Sequence, residues 1–106
     1  MDKTLSLLGL ARRAGKLSLG HDAALACVKA KRAALVLLSA DASERHIREL
    51  RGAGYAGPLA ELPQTSGEIG AAVGKSCCIL ALEDAGFGAA LMKTIREEDI
   101  RYVYED

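Results

Sequence analysis

Tryptophan is missing from this 106-residue chain, and aromatic residues make up only 4% of it. A core without large rings has to be assembled from Leu, Ile, Val and Ala. Apolar types reach 50% of the sequence, which argues against disorder and for one compact domain spanning residues 1–106. No apolar run approaches the roughly 18 residues of a membrane span. No signal-peptide pattern opens the sequence, so a cytoplasmic location without a membrane partner is expected. Cysteine is scarce and odd in number, with Cys27 alone and Cys77 beside Cys78. Neighbours on a strand point to opposite faces, which predicts reduced thiols in place of a disulfide framework. No Cys-x-x-Cys or His/Cys spacing suits a metal ion, and no cofactor is expected.

Net charge is absent as well, since 14 Lys and Arg balance 14 Asp and Glu. That balance hides a gradient along the chain. Through Ala33, seven basic residues (Lys3, Arg12, Arg13, Lys16, Lys29, Lys31 and Arg32) face only Asp2 and Asp22, so the remainder is acidic. A local patch of one sign says more about a partner than the total does.

Periodicity predicts helices alternating with strands. Leu5, Leu8 and Ala11 share one side of a first helix that Gly15 closes in left-handed geometry, and Leu17 and Leu19 alternate as a short strand. Gly20 to Ala30 reads as a second helix, with Ala24, Leu25 and Val28 inward and Asp22, Ala26 and Lys29 outward. Leu35 to Leu38 is an apolar run typical of a strand buried on both faces. Asp41-x-x-Glu44 has the form of a capping box opening a third helix, with Ile47 and Leu50 inward and Arg45, Arg48 and Arg51 outward. Pro58 to Ala60 is a weaker strand. Thr65-x-x-Glu68 is a second capping box, opening a short helix through Ile69 and Val73 that Gly74 ends. Ile79 to Leu82 is another buried strand, and Phe87, Leu91 and Ile95 mark a last helix with an acidic end at Glu97, Glu98 and Asp99. Tyr102-Val103-Tyr104 reads either as an edge strand or as a loose tail. The alternation predicts an α/β protein, a three-layer α/β/α sandwich around a small mixed four-stranded sheet.

Gly52-Ala53-Gly54-Tyr55-Ala56-Gly57 matches the dinucleotide fingerprint in letters only. That motif needs a strand before it and a helix after it, and here the order is reversed, leaving a helix-to-strand turn. Gly86-Phe87-Gly88 sits at a helix start, but it lacks the third glycine and follows Asp84; it reads as a loop. His21 and His46 have no nucleophile in a suggestive pattern, and nothing around the cysteines signals a lowered thiol pKa. An enzyme, small-molecule or redox, therefore has little support. Arg12, Arg13 and Lys16 suit the end of a helix dipole, which does not account for Lys29, Lys31 and Arg32. The turn at Gly20, with helix N–H groups directed outward, can receive a phosphate or a base edge. Nucleic acid and a protein-interaction surface both remain open on these residues alone.

Three segments then combine with the Gly20 turn: Leu-Gly-Leu-Ala-Arg-Arg-Ala-Gly-Lys-Leu from Leu8, Leu-Val-Leu-Leu-Ser-Ala-Asp-Ala-Ser from Leu35, and Gly-Glu-Ile-Gly-Ala-Ala-Val-Gly-Lys ending at Lys75. In this order the chain, from Leu5 to Ile95, resembles the kink-turn RNA-binding ribosomal proteins (the L seven Ae / L thirty e group), in particular their small bacterial YlxQ-like branch. The resemblance implies an α/β/α sandwich and a non-catalytic protein of ribosomal type. Its expected partner is structured RNA, a kink-turn or bulged helix that includes ribosomal RNA among the candidates, with no DNA. Ribosome association within a ribonucleoprotein is left open.

Carried over by position, the RNA face is Gly20, His21, Asp22 and Ala23, then Ser43 and Ile47, then Lys75, Ser76 and Cys77. Lys16, Lys29 and Arg32 would neutralise flanking phosphates. Strong kink-turn binders carry Asn-Glu where this chain has Asp22-Ala23, and a Lys where it has Ala26. An ionised Asp accepts but cannot donate at a base edge, and each lost base contact costs about 1–3 kcal/mol. The alternative implied by these departures is an adaptor that keeps the fold and has lost kink-turn binding.

Overall fold

The computed structural model describes the backbone of residues 3–97 and 102–104 and the side chains of residues 3–95. In chain order the elements are α1 (Lys3–Arg13), β1 (Leu17–Leu19), α2 (His21–Lys29), β2 (Leu35–Leu38), α3 (Glu44–Gly52), β3 (Leu59–Glu61), α4 (Ser66–Val73), β4 (Ile79–Leu82), α5 (Ala85–Glu97) and β5 (Tyr102–Tyr104). The strands form one mixed sheet in the order β1-β4-β2-β3-β5. β4 runs antiparallel to both β1 and β2, and β2 runs parallel to β3. The expected four strands are thus its framework, and the C-terminal tail adds a fifth at the edge, antiparallel to β3.

The two central strands explain the layering. Every residue of β2 and β4 is buried, and alternation sends neighbouring side chains to opposite faces. Leu35, Leu37, Leu80 and Leu82 join Leu8, Ile69, Val73, Leu91 and Ile95 in a core beneath α1, α4 and α5. Val36, Leu38, Ile79 and Ala81 join Ala24, Cys27, Val28 and Leu50 beneath α2 and α3. Each fully buried Leu or Ile contributes about 1.5–3 kcal/mol of transfer free energy, so aliphatic residues alone can hold three layers together.

Strand register sets up the functional geometry. Leu19 lies opposite Leu80, Leu38 opposite Ile79, and Leu38 beside Glu61. The ends of β1, β2 and β3 and the start of β4 therefore share one edge of the sandwich. The starts of α2, α3 and α4 and the 75–78 segment all emerge there. Lys16, Arg32 and Glu83 belong to the other edge, tied by the Glu83 N–H to the Lys16 carbonyl (2.9 Å) and by the Arg32–Glu83 ion pair (3.1 Å).

Several local expectations change. Asp41 does not cap α3. Ser43 is the cap, closing a box with His46, while the Asp41 carboxylate accepts from the Ser66 N–H (2.9 Å), the Ser66 hydroxyl (2.8 Å) and the Ser39 hydroxyl (2.6 Å). Arg51 does not point outward; it folds back and donates to the carbonyls of Tyr55 (2.6 Å) and Gly57 (3.2 Å), organising the turn before β3. Gly86, Phe87 and Gly88 lie in the first turns of α5, where Asp84 accepts from the Phe87 N–H (2.9 Å), so the segment is helix and not loop. Cys77 and Cys78 precede β4 instead of lying on it. The acidic helix end expected at Glu97, Glu98 and Asp99 lies outside the described side chains.

Candidate nucleic-acid interface

Gly20 is the pivot of the shared edge. Its φ of 94° and ψ of 168° put it in a region essentially restricted to glycine. That conformation turns the chain from β1 into α2 while the Gly20 N–H donates to the Ile79 carbonyl (2.9 Å), fastening the helix start to β4. With glycine at this position α2 has no side-chain cap, so its first amides point outward as donors. The start of α4 differs. Thr65 and Glu68 close it in a reciprocal box, and Asp41 covers its first residue. Hydrogen bonds from Ser39 first and Ser66 next hold the Asp41 carboxyl at about 2, well below the usual carboxylate range. An anion finds open donors at α2 and a closed, negatively charged end at α4.

Lys75 supplies the matching cation. Its exposed side chain reaches back until Nζ lies 3.8 Å from where a β-carbon on Gly20 would stand. A cation at a helix N-terminus is poorly placed against the dipole. A phosphate or base oxygen between Lys75 and the α2 amides would satisfy both. The loop carrying Lys75 is positioned by a second glycine: a β-carbon on Gly70 would come within 2.9 Å of the Ser76 backbone, so only glycine lets the loop cross α4 this closely. Cys77 packs into the core beside the site, and burial pushes its thiol up, against a backbone hydrogen bond from Gly20.

His21 and the α3 face complete the arrangement. His21 Nδ1 contacts the Asp22 carboxylate at 3.3 Å, and Nε2 contacts Glu49 at 3.1 Å across the α2–α3 gap. The Asp22 contact and then the Glu49 contact raise the His21 pKa above its ordinary 6.5. The His46 ring lies 5.8 Å away, centre to centre, with its Nδ1 accepting from the Ser43 N–H (3.3 Å). Ile47, on the next position of α3, is half-buried over the second core and leaves an apolar surface beside these rings. With both ring nitrogens against carboxylates, His21 is arranged as an ion-pair partner and not as a base. Among the described residues, no group of three His, Cys, Asp or Glu could hold a metal ion.

The residues expected to bind RNA therefore divide. Gly20, His21, Asp22, Ile47, Lys75 and Ser76 come together at one edge. Lys16 and Arg32 lie at the opposite edge, and Lys29 ends α2, about 12 Å of helix away from His21. Sequence reasoning missed Glu49 and Gly70 and considered His46 only as a catalytic candidate. Glu49 and the His46 ring meet His21 through contacts between helices that no local pattern encodes. Gly70 did carry a signal, because a mid-helix glycine costs about 1 kcal/mol relative to alanine and calls for a close approach.

Comparison with known proteins places the fold and the family. The sequence model described as the ribosomal protein L7Ae/L30e/S12e/Gadd45 family matches residues 2–91. The chain is 33% identical over 87 residues to RNA-binding protein YlxQ of Enterococcus faecium, covering 80% of this chain and 84% of that protein. A solved structure of a Bacillus halodurans protein of unknown function superposes with a TM-score of 0.80 at 32% identity, covering 91% of this chain and 99% of that one. A Giardia lamblia 15.5 kD RNA-binding protein shares the fold alone, with a TM-score of 0.68 at 19% identity over 90% of this chain and 83% of that one. Among the described residues, no helix is long and apolar enough to cross a membrane. The chain is thus a member of the ribosomal protein L7Ae/L30e/S12e/Gadd45 family.

Proposed function

We propose that this protein is a cytoplasmic, non-catalytic RNA-binding module that docks a kinked or bulged RNA on the edge formed by Gly20, His21, Ile47, Lys75 and Ser76. The observation that carries the reading is the uncapped start of α2 with the Lys75 ammonium over it. The uncapped amides and the cation suit a phosphate or a base edge, and the half-buried Ile47 suits an unstacked base. The name of the Enterococcus faecium relative, an RNA-binding protein, supports the same class of partner. Ribosomal RNA within a ribonucleoprotein is a suitable target of this kind. Docking needs no chemistry from the protein: the fold holds the donors in place, and RNA shape does the selecting.

Asp22, Ala23 and Ala26 are exposed on the same helix and make weaker base contacts than Asn, Glu and Lys would. Affinity accordingly rests on backbone and shape. The test is a titration of labelled kink-turn RNA against a straight duplex of equal length at two salt concentrations. The expected result is tighter binding of the kinked RNA with a shallow salt slope, each phosphate contact adding about 0.7–0.9 to the log–log value. In the Asp22→Asn, Ala23→Glu variant, affinity for the kinked RNA should rise about tenfold for each 1.4 kcal/mol regained. Equal binding of both RNAs that disappears with salt would overturn the reading and favour the adaptor.

A further inference from the structure

We propose that the open groove between α1 and α4 is a docking site for an acidic, amphipathic helical segment of a protein partner. The groove has a volume of about 630 Å³, within the range of sites that take up several apolar side chains. Gly9 shapes its floor. A β-carbon there would stand 3.3 Å from the Ala72 carbonyl oxygen, so α1 and α4 approach closely and leave a smooth apolar surface with Leu5 and Ala72. Leu10 stands at the rim. It is the one large hydrophobic residue that is exposed among the described side chains, at 48%. A lone exposed leucine is ordinary, but this one continues an apolar groove and does not stand alone on a polar face.

Charge selects the occupant. Arg12 and Arg13 line the groove at the last turn of α1 and are exposed, and neither enters an ion pair among the described residues. Among the described residues, none that lines the groove is acidic. Their helix-end position accounts for two arginines but not for the leucine beside them. Apolar floor plus cationic rim matches a helix that lays an apolar stripe into the groove and presents carboxylates at one edge. Among the described residues, the groove has no aromatic side chain on which a nucleobase could stack, and that favours a protein over RNA. It belongs to the α1–α4 layer, apart from the starts of α2 and α3, so it does not depend on the RNA reading.

The experiment uses fluorescence anisotropy with a labelled helical peptide. The peptide carries Leu at helical i, i+3, i+4, i+7 spacing and Glu on its flanks, and a control has Gln at every Glu. The Glu peptide should bind and the Gln peptide should bind more weakly. Arg12→Glu with Arg13→Glu, and separately Leu10→Ser, should each weaken binding about tenfold or more. Arg45→Glu with Arg48→Glu, exposed on α3, should leave it unchanged. Circular dichroism matching the parent protein establishes that all three variants are folded. Absence of binding, or an equal loss from the α3 reversal, would overturn the proposal. Displacement of the peptide by RNA would give the groove to nucleic acid and also overturn it. Self-association in sedimentation that Leu10→Ser abolishes would give it to a second copy of this chain, with the same consequence.

Discussion

The ammonium of Lys75 lies 3.8 Å from the point where a β-carbon on Gly20 would stand. Two segments more than fifty residues apart are thereby joined at the start of α2. Gly20→Ala forces a side chain into a backbone region that only glycine visits readily, at φ 94°. The expected cost is about 1–3 kcal/mol in urea denaturation, together with weaker RNA binding as the strained turn shifts the first amides of α2; Lys75 itself, at 3.8 Å, is in ordinary contact and need not move. A parent-like stability would show that the turn relaxes without strain.

Gly70→Ala should behave contrary to helix propensity. Alanine in place of a mid-helix glycine ordinarily stabilises by about 1 kcal/mol. Here the new methyl group meets the Ser76 backbone at 2.9 Å, and overpacking of this kind costs about 1–3 kcal/mol. Chemical denaturation should report a net loss, with RNA affinity falling because the 75–77 loop is displaced. A net gain in stability would mean that the loop moves freely.

His21 makes stability depend on pH in a defined direction. Contacts with Asp22 and then Glu49 raise its folded pKa above 6.5. The stabilisation is therefore fully present below 6.5 and is lost as pH rises through the higher folded value. NMR titration of the His21 ring should give a pKa above 6.5 that returns toward it in the Asp22→Asn, Glu49→Gln variant. The parent's melting temperature should decline over the same window, and the variant's should decline less. An unshifted ring titration in the parent would remove the bridge between α2 and α3 from this account.

Asp41 acts with the opposite sign. Its pKa falls from 3.8 to about 2, mainly through the Ser39 and Ser66 hydrogen bonds. Its stabilisation is present above 3.8 and is lost as pH falls toward 2. Asp41→Asn should destabilise the protein at neutral pH and flatten the acid limb of its stability profile, followed by circular dichroism. An unchanged acid limb would assign that loss to other carboxylates.

The contrast between Asp41 and Thr65 indicates what the sequence could disclose. Thr65 and Glu68 cap α4 through bonds three residues apart, so a local pattern identified them, as it did the buried runs of β2 and β4. Asp41 has the same outward form, but its partner Ser66 is twenty-five residues distant, and only the register of β2 beside β3 brings them together. The basic residues divide for the same reason. The Gly20 turn stands out in the sequence and Lys75 enters through the family resemblance, yet nothing local tells that β1 and β2 carry Lys16 and Arg32 to the opposite edge. His21 was recognisable as a site residue, whereas Glu49, which holds it, depends on how α2 packs beside α3.

Amide chemical-shift mapping of the protein titrated with a kinked RNA decides where the RNA sits. The expected outcome is shifts concentrated at Gly20, His21, Ile47, Lys75 and Ser76, with Lys16 and Arg32 little changed. Shifts centred on Arg12, Lys16 and Arg32, or none at the Gly20–Lys75 edge, would contradict the account.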